Sequence, residues 1–332
     1  MDNATLRAYK NSSRIRARVE DLIREFFDTE DFARVRTPSL VPCPGMEPHI
    51  RPFEAVASGI TSNTRLFLHT SPEFAMKKLL VAGMQKIYQL CTVYRSEPPS
   101  STHRPEFTML EWYRANEGYE KIMEDAGRLL AFIARKLTGG ETIPYQGRSV
   151  RLTPPWPRLR TQDLFRDVAK IDLLKADLHS ECERLKLSPN ETDTWDDLYF
   201  RIWLNVIEPA LPQDRAAIVY HYPPSQAALS VIETLEDGSR WARRFEIYAG
   251  GLELGNAFEE LTDPSEQRRR FEEDLRLRAH LYGPSFPASP MPEDFLDALG
   301  RGMPPSGGIA IGVDRLAMLF ADTADIGAFD PP

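Results

Sequence analysis

The sequence predicts an α+β fold in which a mixed, mostly antiparallel β-sheet is flanked by helices. Two observations indicate the sheet: β-like runs meet across a polar, Pro- and Ser-rich loop within 94–113, and a Gly-Gly pair separates apolar-alternating runs within 244–263. A third observation indicates the helices, because apolar residues recur at helical spacing within 15–27 and 119–133.

The composition indicates a globular protein of the cytoplasm. The chain has 332 residues, of which 42% are hydrophobic and 27% are charged, so it is long enough to bury a large core. It has no run of about 18 apolar residues and no charged-then-apolar N-terminal signal pattern, so we expect no membrane segment. The formal net charge of -8 disfavours an extended phosphate-binding surface, and therefore a broad contact with nucleic acid.

The cysteine and histidine residues predict neither a disulfide framework nor a metal site of their own. The three cysteines are far apart and lack CxxC spacing, so we expect reduced and mostly buried thiols. The six histidines show no i, i+4 pairing. Any metal ion would therefore be held by carboxylates.

The N-terminal part predicts one long helix followed by a strand at the edge of a sheet. Ser12 or Ser13 can cap a helix whose apolar residues recur at helical spacing. The run 32–40 leads from the helix to a strand at Pro38. Proline is tolerated mainly in edge strands or at the start of a strand. Such an edge fits a subunit contact or a simple surface edge. We interpret 41–63 as a loop with one short strand.

A strand and a short helix follow. The segment 65–69 predicts a strand, and Ser71 with Pro72 predicts the cap and first turn of a helix that carries Glu73 and continues to Val81. An acid at a helix N-terminus is ordinary dipole chemistry by itself.

A polar hairpin is the element around which the rest of the chain is organised. The strand 86–93 leads to Arg95, which shares one face with Glu97. Three side chains of the returning strand also share a face, so a cation, acids and aromatic rings converge across the hairpin. These residues are Phe107, Glu111 and Tyr113. A half-buried hairpin with a charged outer face is the alternative interpretation.

The middle of the chain predicts helices. An amphipathic helix covers 119–133, and its stripe is typical of core. The segment 161–211 predicts several helices, with Trp195 and Trp203 as packing anchors. We interpret about 140–215 as a helical insertion.

A second hairpin carries four polar side chains. Its turn would place Glu246 and Glu253 diagonally on one face, about 7 Å apart, where they repel each other unless a cation lies between them. Strict alternation puts Asn256 and Glu260 on the opposite face, but a bulge or a sharp twist near Gly255 would bring the four together. A solvated acidic ribbon is an equally good interpretation of these residues alone.

The C-terminal part ends in a strand that runs directly into a helix. Asp263 begins a charged helix to about His280, whose balanced charges favour a solvated surface over a nucleic-acid arm, and Pro292 begins a shorter helix. The segment 307–320 is a glycine-spaced strand followed by a helix with Arg315 in its first turn. Glycines let a ligand approach the backbone, and an arginine there can reach phosphate.

Taken in order, these segments resemble the signature motifs of class II aminoacyl-tRNA synthetases, most closely the lysyl enzymes. Pro38 matches the first motif, Arg95 to Tyr113 the second, and Gly312 with Arg315 the third. The matching stretches TSPEFAMK, HRPEFTMLEWY, GLELGNAFEELTD and GVDRL cover the chain from about residue 12 onward. Only about 13 residues precede the first predicted helix, so we expect a single catalytic domain over 1–332 without an anticodon-binding domain.

The short chain is similar to the elongation factor P lysine ligases. That resemblance implies activation of lysine or (R)-β-lysine with ATP and Mg²⁺, and transfer to a lysine ε-amine of elongation factor P. Ala310 stands where lysyl-tRNA synthetases usually have glycine, and its methyl group reshapes the pocket in a way that fits a β-amino acid. The resemblance also implies a homodimer through the first helix and the Pro38 strand.

The resemblance implies roles for individual residues. Arg95 would clamp the substrate carboxylate and α-phosphate, and Arg315 would contact phosphate; these are the catalytic candidates. The nucleotide would be held by Arg95, Glu97, Arg104, Phe107, Glu253, Leu254, Gly312 and Arg315, and magnesium by Glu246 and Glu253. The amino acid would be held by Ser71, Glu73, Glu111, Tyr113, Asn256, Glu260 and Ala310. Of these, Tyr113 and Glu260 match the positions that hold the side-chain ammonium, and an acidic lining suits a substrate with two amines.

The chain departs from the family pattern near the second motif. Ser96 and Pro98 replace the usual residues around the motif-two arginine, Thr102 stands where lysyl-tRNA synthetases carry an arginine, and Arg104 replaces an asparagine. We hypothesise that Arg104 supplies the missing charge.

Two other functions remain compatible with the sequence. One is aminoacyl transfer to another carrier, including tRNA, which the acidic charge and the absence of an anticodon-binding domain disfavour. The other is a catalytically inactive, synthetase-like binding protein. The retained polar set argues against inactivity, because a dead pocket has no physical need for mutually repelling acids. That set is Arg95, Glu97, Glu246, Glu253 and Arg315.

Overall fold

The computed structural model describes residues 3–56, 65–283 and 289–331. Its α-helices are α1 (Asn3–Thr29), α2 (Glu73–Val81), α3 (Tyr119–Thr138), α4 (Thr161–Leu164), α5 (Leu178–Arg184), α6 (Trp195–Ile202), α7 (Pro264–Tyr282), α8 (Glu293–Gly300) and α9 (Val313–Ala321). In the described part of the chain, no helix is long and apolar enough to cross a membrane.

Most strands join one large sheet. The strands are β1 (Ala33–Arg34), β2 (Leu40–Val41), β3 (Phe53–Ala55), β4 (Leu66–Leu68), β5 (Lys86–Tyr94), β6 (Glu106–Ala115), β7 (Thr142–Tyr145), β8 (Arg148–Arg151), β9 (Arg158–Arg160), β10 (Ala217–Tyr222), β11 (Ile232–Thr234), β12 (Arg240–Ala249), β13 (Leu252–Glu259) and β14 (Ser306–Gly312). The large sheet has the order β1-β5-β6-β14-β13-β12-β10-β9, with β11 beside β12. Its β1–β5 and β10–β9 pairs are parallel and the other pairs are antiparallel, which confirms the predicted mixed, mostly antiparallel sheet.

The two faces of this sheet have different tasks. On one face, apolar side chains such as Trp112, Phe245 and Ile309 pack in one core with residues of α1, α3 and α9. On the other face, register places a polar row across four neighbouring strands. That row is Glu111, Ala310, Asn256 and Glu246. The sheet therefore buries one face and presents the other to the site.

The first helix begins earlier than predicted. Ser12 and Ser13 lie inside α1, which begins at Asn3, and Ser12 is buried. The residues before Ser12 include alanine, leucine, arginine and lysine, with no glycine or proline, so nothing ends the helix at the serines. The predicted cap was therefore wrong, whereas the predicted apolar stripe of this helix is buried in the core.

The predicted insertion at about 140–215 is only partly helical. Strands β7, β8 and β9 occupy its first part, and its helical turns lie within 161–210. These turns pack around a second core that contains Trp203, which is buried. Trp195 was predicted to be an anchor as well, but it is 39% exposed and stacks on Tyr199 from outside. Trp195 stands at the first turn of α6, where its ring reaches only the rim of this core.

The other elements agree with the sequence prediction within a few residues. Strands β4, β5 and β6 and helices α2, α3, α7 and α8 form where expected, and Asp263 caps α7 by accepting from the backbone N–H groups of Ser265 and Glu266. Within 41–63, the predicted short strand is β3, and residues 57–63 lie outside the described part of the chain.

Candidate active site

A cavity of about 420 Å³ lies on the polar face of the large sheet. This volume is typical of small-molecule sites. Every residue predicted to contact nucleotide or amino acid lines it, whereas Glu246 is not one of its lining residues and is 7% exposed. The fold thus brings together side chains that are far apart in sequence.

A β-bulge in the second hairpin places its polar residues in one site. Tyr248 pairs with Glu253, but the next pair is Ile247 with Gly255, so Leu254 is the extra residue. Of the two distortions considered near Gly255, a bulge or a sharp twist, the register shows the bulge. After the bulge Asn256 lies directly opposite Glu246, instead of facing the other side of the sheet.

Glu246 is held in a network of hydrogen bonds. Its Oε2 accepts from the hydroxyls of Tyr222 at 2.5 Å and Tyr248 at 2.6 Å, and its Oε1 accepts from Arg244 at 2.6 Å. Arg244 also donates to Asn256 Oδ1 at 2.9 Å. This arginine partly compensates the repulsion expected between the acids, and sequence reasoning missed it although it stands two residues before Glu246.

The pair Glu246 and Glu253 has the chemistry of a magnesium site. Burial and the Glu246 carboxylate raise the pKa of Glu253 to about 7, so a bound cation would favour its ionised form. Mg²⁺ in nucleotide enzymes is bound through one or two carboxylates together with substrate phosphates. The donor set therefore fits the ion.

Arg95 forms no ion pair with an acid of the described chain. Its guanidinium lies over the ring of Phe107, 5.3 Å from the ring centroid. Its Nε is buried and has no hydrogen-bond partner, and the guanidinium forms no ion pair within the described ranges. An uncompensated cation in a cavity attracts a carboxylate or a phosphate.

Arg315 is fixed by three contacts at the start of α9. Its guanidinium donates to the carbonyl oxygens of Thr102 and Glu253, each at 3.1 Å, and to Nε2 of His103 at 2.7 Å. Nε2 accepts only when the imidazole is neutral, and burial with the nearby Arg315 charge lowers the pKa of His103. The three contacts lock the arginine in place without neutralising its charge.

Arg104 lines the cavity, but acids from the C-terminal segment already balance its charge. Its guanidinium donates to Asp330 Oδ2 at 2.8 Å and to Asp325 Oδ1 at 3.4 Å. It also donates to the carbonyl oxygen of Ser100 at 2.5 Å. The charge that we hypothesised Arg104 to supply is thus shared with these acids. Sequence alone did not reveal that the C-terminal residues approach Arg104.

The floor of the cavity is acidic, and neighbouring hydroxyl groups donate hydrogen bonds to Glu111. Ser71 Oγ donates to Glu111 at 2.6 Å, and the Tyr113 hydroxyl donates to the other oxygen of Glu111 at 2.9 Å. Burial, followed by the charge of Glu73, raises the pKa of Glu111 to about 8. At neutral pH this carboxyl is therefore mostly neutral until a cation binds.

Lys77 connects two of the predicted acids. Its Nζ lies 2.5 Å from Glu73 Oε1 and 2.5 Å from Glu260 Oε2, and the side chain has no solvent exposure. Sequence reasoning missed Lys77, although its i, i+4 spacing from Glu73 on a helix was a usable signal. Lys77 holds both carboxylates in one geometry.

Gly308 gives the floor its shape. A Cβ at this position would lie well inside contact distance of Glu260 Oε1 and Tyr113 Cε1. The neighbouring Ala310 pairs with Glu111 on one side and Asn256 on the other, so its methyl group stands at the centre of the polar row.

Comparison with known proteins gives a consistent result. Residues 3–329 match the family model of class II tRNA synthetases (D, K and N). Three similar proteins are named elongation factor P (R)-β-lysine ligase. The protein of Edwardsiella ictaluri is 40% identical over 307 residues, 92% of this chain and 89% of its own length. The protein of an Enterobacter species is 38% identical over 95% of this chain and 93% of its own length. The protein of Erwinia tasmaniensis is also 38% identical, over 92% of this chain and 89% of its own length.

Proposed function

Because the chain belongs to the class II tRNA synthetase family and, within it, to the elongation factor P (R)-β-lysine ligases, we propose that it lysylates elongation factor P. It is an ATP-dependent aminoacyl ligase. It would activate lysine, preferentially (R)-β-lysine, as the aminoacyl-adenylate and transfer the acyl group to a lysine ε-amine of the factor.

The observation that carries this proposal is the charge pattern of the cavity. One end has the uncompensated Arg95, and the floor has Glu73, Glu111 and Glu260. A diamino monocarboxylic acid has the complementary pattern, one carboxylate and two ammonium groups. An apolar amino acid would bring no cation to these acids, and Lys77 would remain the cation shared by Glu73 and Glu260.

The first step would form the adenylate. A carboxylate oxygen of lysine attacks the α-phosphorus of ATP, the new O–P bond forms, and the bond to pyrophosphate breaks. Arg95 and Arg315 would stabilise the negative charge that develops on the phosphate, and preorganised groups of this kind supply about 3–4 kcal/mol each. Bound Mg²⁺, held by Glu246 and Glu253 with phosphate oxygens, would supply further charge neutralisation.

The second step would transfer the acyl group without a covalent enzyme intermediate. The neutral ε-amine of the acceptor attacks the acyl carbon, the amide bond forms, AMP leaves, and the amine nitrogen loses its proton. The enzyme's contribution here is to hold the two reactants in position, because the mixed anhydride is already reactive.

We also propose that the chain works as a homodimer in the cytoplasm. Large apolar side chains are exposed around the small sheet β2-β4-β3 that follows Pro38: Leu40 is 50% exposed and Phe53 is 36% exposed. Exposed apolar groups clustered next to a predicted subunit contact favour a partner there. A protein that modifies an elongation factor would act where translation takes place. Light scattering of the purified protein tests the dimer, and a monomer at micromolar concentration contradicts it.

Pyrophosphate exchange tests the proposed chemistry. Purified protein with ATP and Mg²⁺ should exchange labelled pyrophosphate into ATP when (R)-β-lysine or α-lysine is added, and faster with the β-isomer. A gel-shift assay at physiological salt should show no tight complex with tRNA. Exchange with neither isomer contradicts the proposal, and tight tRNA binding would redirect it to another acceptor.

A further inference from the structure

The segment before β3 brings a carboxylate into the cavity that has no assigned role. Glu47 lines the cavity, and its Oε2 is buried without a hydrogen-bond partner in the described structure. A buried carboxylate oxygen without a donor costs free energy, so its retention needs a reason. A bound cationic group would provide the missing donor.

The backbone is shaped to admit this carboxylate. Gly45 lies beneath it, and a Cβ at Gly45 would lie well inside contact distance of Glu47 Oε2. The Gly45 N–H donates to Thr70 Oγ1 at 3.2 Å, which fixes the glycine against the chain that precedes α2. A larger residue at this position would displace the side chain of Glu47, that of Thr70, or both.

Arg278 of α7 holds the segment from the side away from the cavity. Its guanidinium donates to the carbonyl oxygen of Glu47 at 2.6 Å and to those of Gly45 and Ile50 at 3.5 Å each. It also donates to Ser289 Oγ at 2.5 Å, and Arg278 is 2% exposed. The position of Glu47 is therefore set by a buried anchor.

The surroundings of Glu47 indicate which part of a substrate it meets. After burial, the strongest charge acting on its carboxyl is Glu73, which raises its pKa, and Arg95 acts in the opposite direction. Glu47, Glu73 and Arg95 all line the same cavity. A substrate whose carboxylate contacts Arg95 would thus place its nearest ammonium group toward Glu47 and Glu73.

We propose that Glu47 binds the ammonium group nearest the substrate carboxylate and thereby determines whether an α- or a β-amino acid is preferred. This inference rests on the proposed function, because it assumes that Arg95 holds the carboxylate and that Glu260 with Tyr113 holds the distal ammonium. With both ends of the molecule fixed, the remaining ammonium differs between the isomers by one carbon along the chain. A carboxylate on a rigid segment can discriminate such a shift, because charge-assisted hydrogen bonds need defined geometry.

A substrate series with Glu47→Gln tests the proposal. The substitution keeps the size of the side chain but removes the charge. We expect catalytic efficiency with (R)-β-lysine to fall by about 10- to 100-fold, the effect of losing one hydrogen bond to a charged group. The compound 6-aminohexanoate lacks the amine nearest the carboxylate, so its catalytic efficiency should agree within about twofold between wild type and variant. If it does not react, its inhibition constant should agree within the same factor. Gly45→Ala should reproduce this pattern by displacing the carboxylate.

The matched control is Glu272→Gln, which removes an exposed acid from the same helix as Arg278. It should leave the catalytic efficiency with both substrates unchanged. Unchanged efficiency of the Glu47 variant with (R)-β-lysine, or equal losses with all substrates, would overturn the inference. Its failure is distinguishable from failure of the proposed function, because the latter would abolish exchange with every lysine isomer in the wild type. In that case calorimetric binding of (R)-β-lysine and 6-aminohexanoate to wild type and variant still tests Glu47.

Discussion

The ammonium group of Lys77 lies 2.5 Å from Glu260 at the floor of the cavity, and both side chains are almost completely buried. Glu260 is the acid that we expect to bind the distal ammonium of the substrate. A buried ion pair is seldom a large source of stability, but removing one partner leaves an uncompensated charge. Lys77 therefore orients Glu260 through its Oε2, and we expect the substrate ammonium to bind at Oε1.

The first prediction concerns Lys77→Met. Loss of the cation leaves Glu73 and Glu260 repelling each other, and we expect the free energy of unfolding to fall by about 3–5 kcal/mol. Lys78→Met is the control, because the Lys78–Asp294 pair lies at the surface, where such pairs contribute about 0–1 kcal/mol. Urea denaturation of both variants measures the difference, and equal losses would contradict a special role for Lys77.

The second prediction concerns Gly308→Ala. The added methyl group would displace Glu260 or Tyr113, so we expect the KM for lysine to rise about tenfold or more while the KM for ATP stays within about twofold. Gly300→Ala is the control, because nothing lies within 4 Å of a Cβ built there. Steady-state exchange kinetics check this, and a parallel rise in both KM values would show a general distortion.

The third prediction follows from the raised pKa of Glu111, about 8. Below that pH the free carboxyl is mostly protonated, and an ammonium ligand favours the ionised form, so lysine binding at pH 7 should release a proton. Affinity for lysine should consequently increase as pH rises from 6 to 8, by up to about tenfold for each pH unit.

Calorimetry in buffers of different ionisation enthalpy counts the released protons. In Glu111→Gln the release should be smaller and the affinity should vary less between pH 6 and 8. Identical proton release in the variant would assign the effect to another acid.

The fourth prediction compares two arginines of the cavity. Arg95→Ala should lower the rate of adenylate formation by about 10²- to 10³-fold without unfolding the protein, because no acid among the described residues forms an ion pair with Arg95. Arg104→Ala should cost less than about fivefold, since Asp325 and Asp330 already balance Arg104. Single-turnover kinetics test this prediction, with circular dichroism as a check of folding. Comparable losses of rate in the two variants would indicate that Arg104 also contacts phosphate.

The sequence predicted the site best where chemistry and backbone period acted together. The hairpin that carries Glu246 and Glu253 has a defined turn, so its pairing followed from the position of the glycines. The need to bring Asn256 to the face of Glu246 indicated a bulge or a sharp twist near Gly255, and the structure has the bulge. Local rules were sufficient there because both partners belong to one hairpin.

Sequence reasoning failed where distant segments meet. The position of Glu47 depends on Arg278, and Arg104 forms an ion pair with Asp330. In each case more than 200 residues separate the partners. The start of α1 was misplaced for a different reason. Ser12 has the chemistry of a cap, but in the structure it lies within the helical segment and is buried.

The mass of elongation factor P after incubation with the enzyme, ATP, Mg²⁺ and (R)-β-lysine tests the central claim most directly. We expect the factor to gain the mass of one lysyl group on a single lysine, and the Arg95→Ala variant to modify it about 10²- to 10³-fold more slowly under the same conditions. An unmodified factor, in the presence of adenylate detected in the same reaction, would contradict the assignment of elongation factor P as the acceptor.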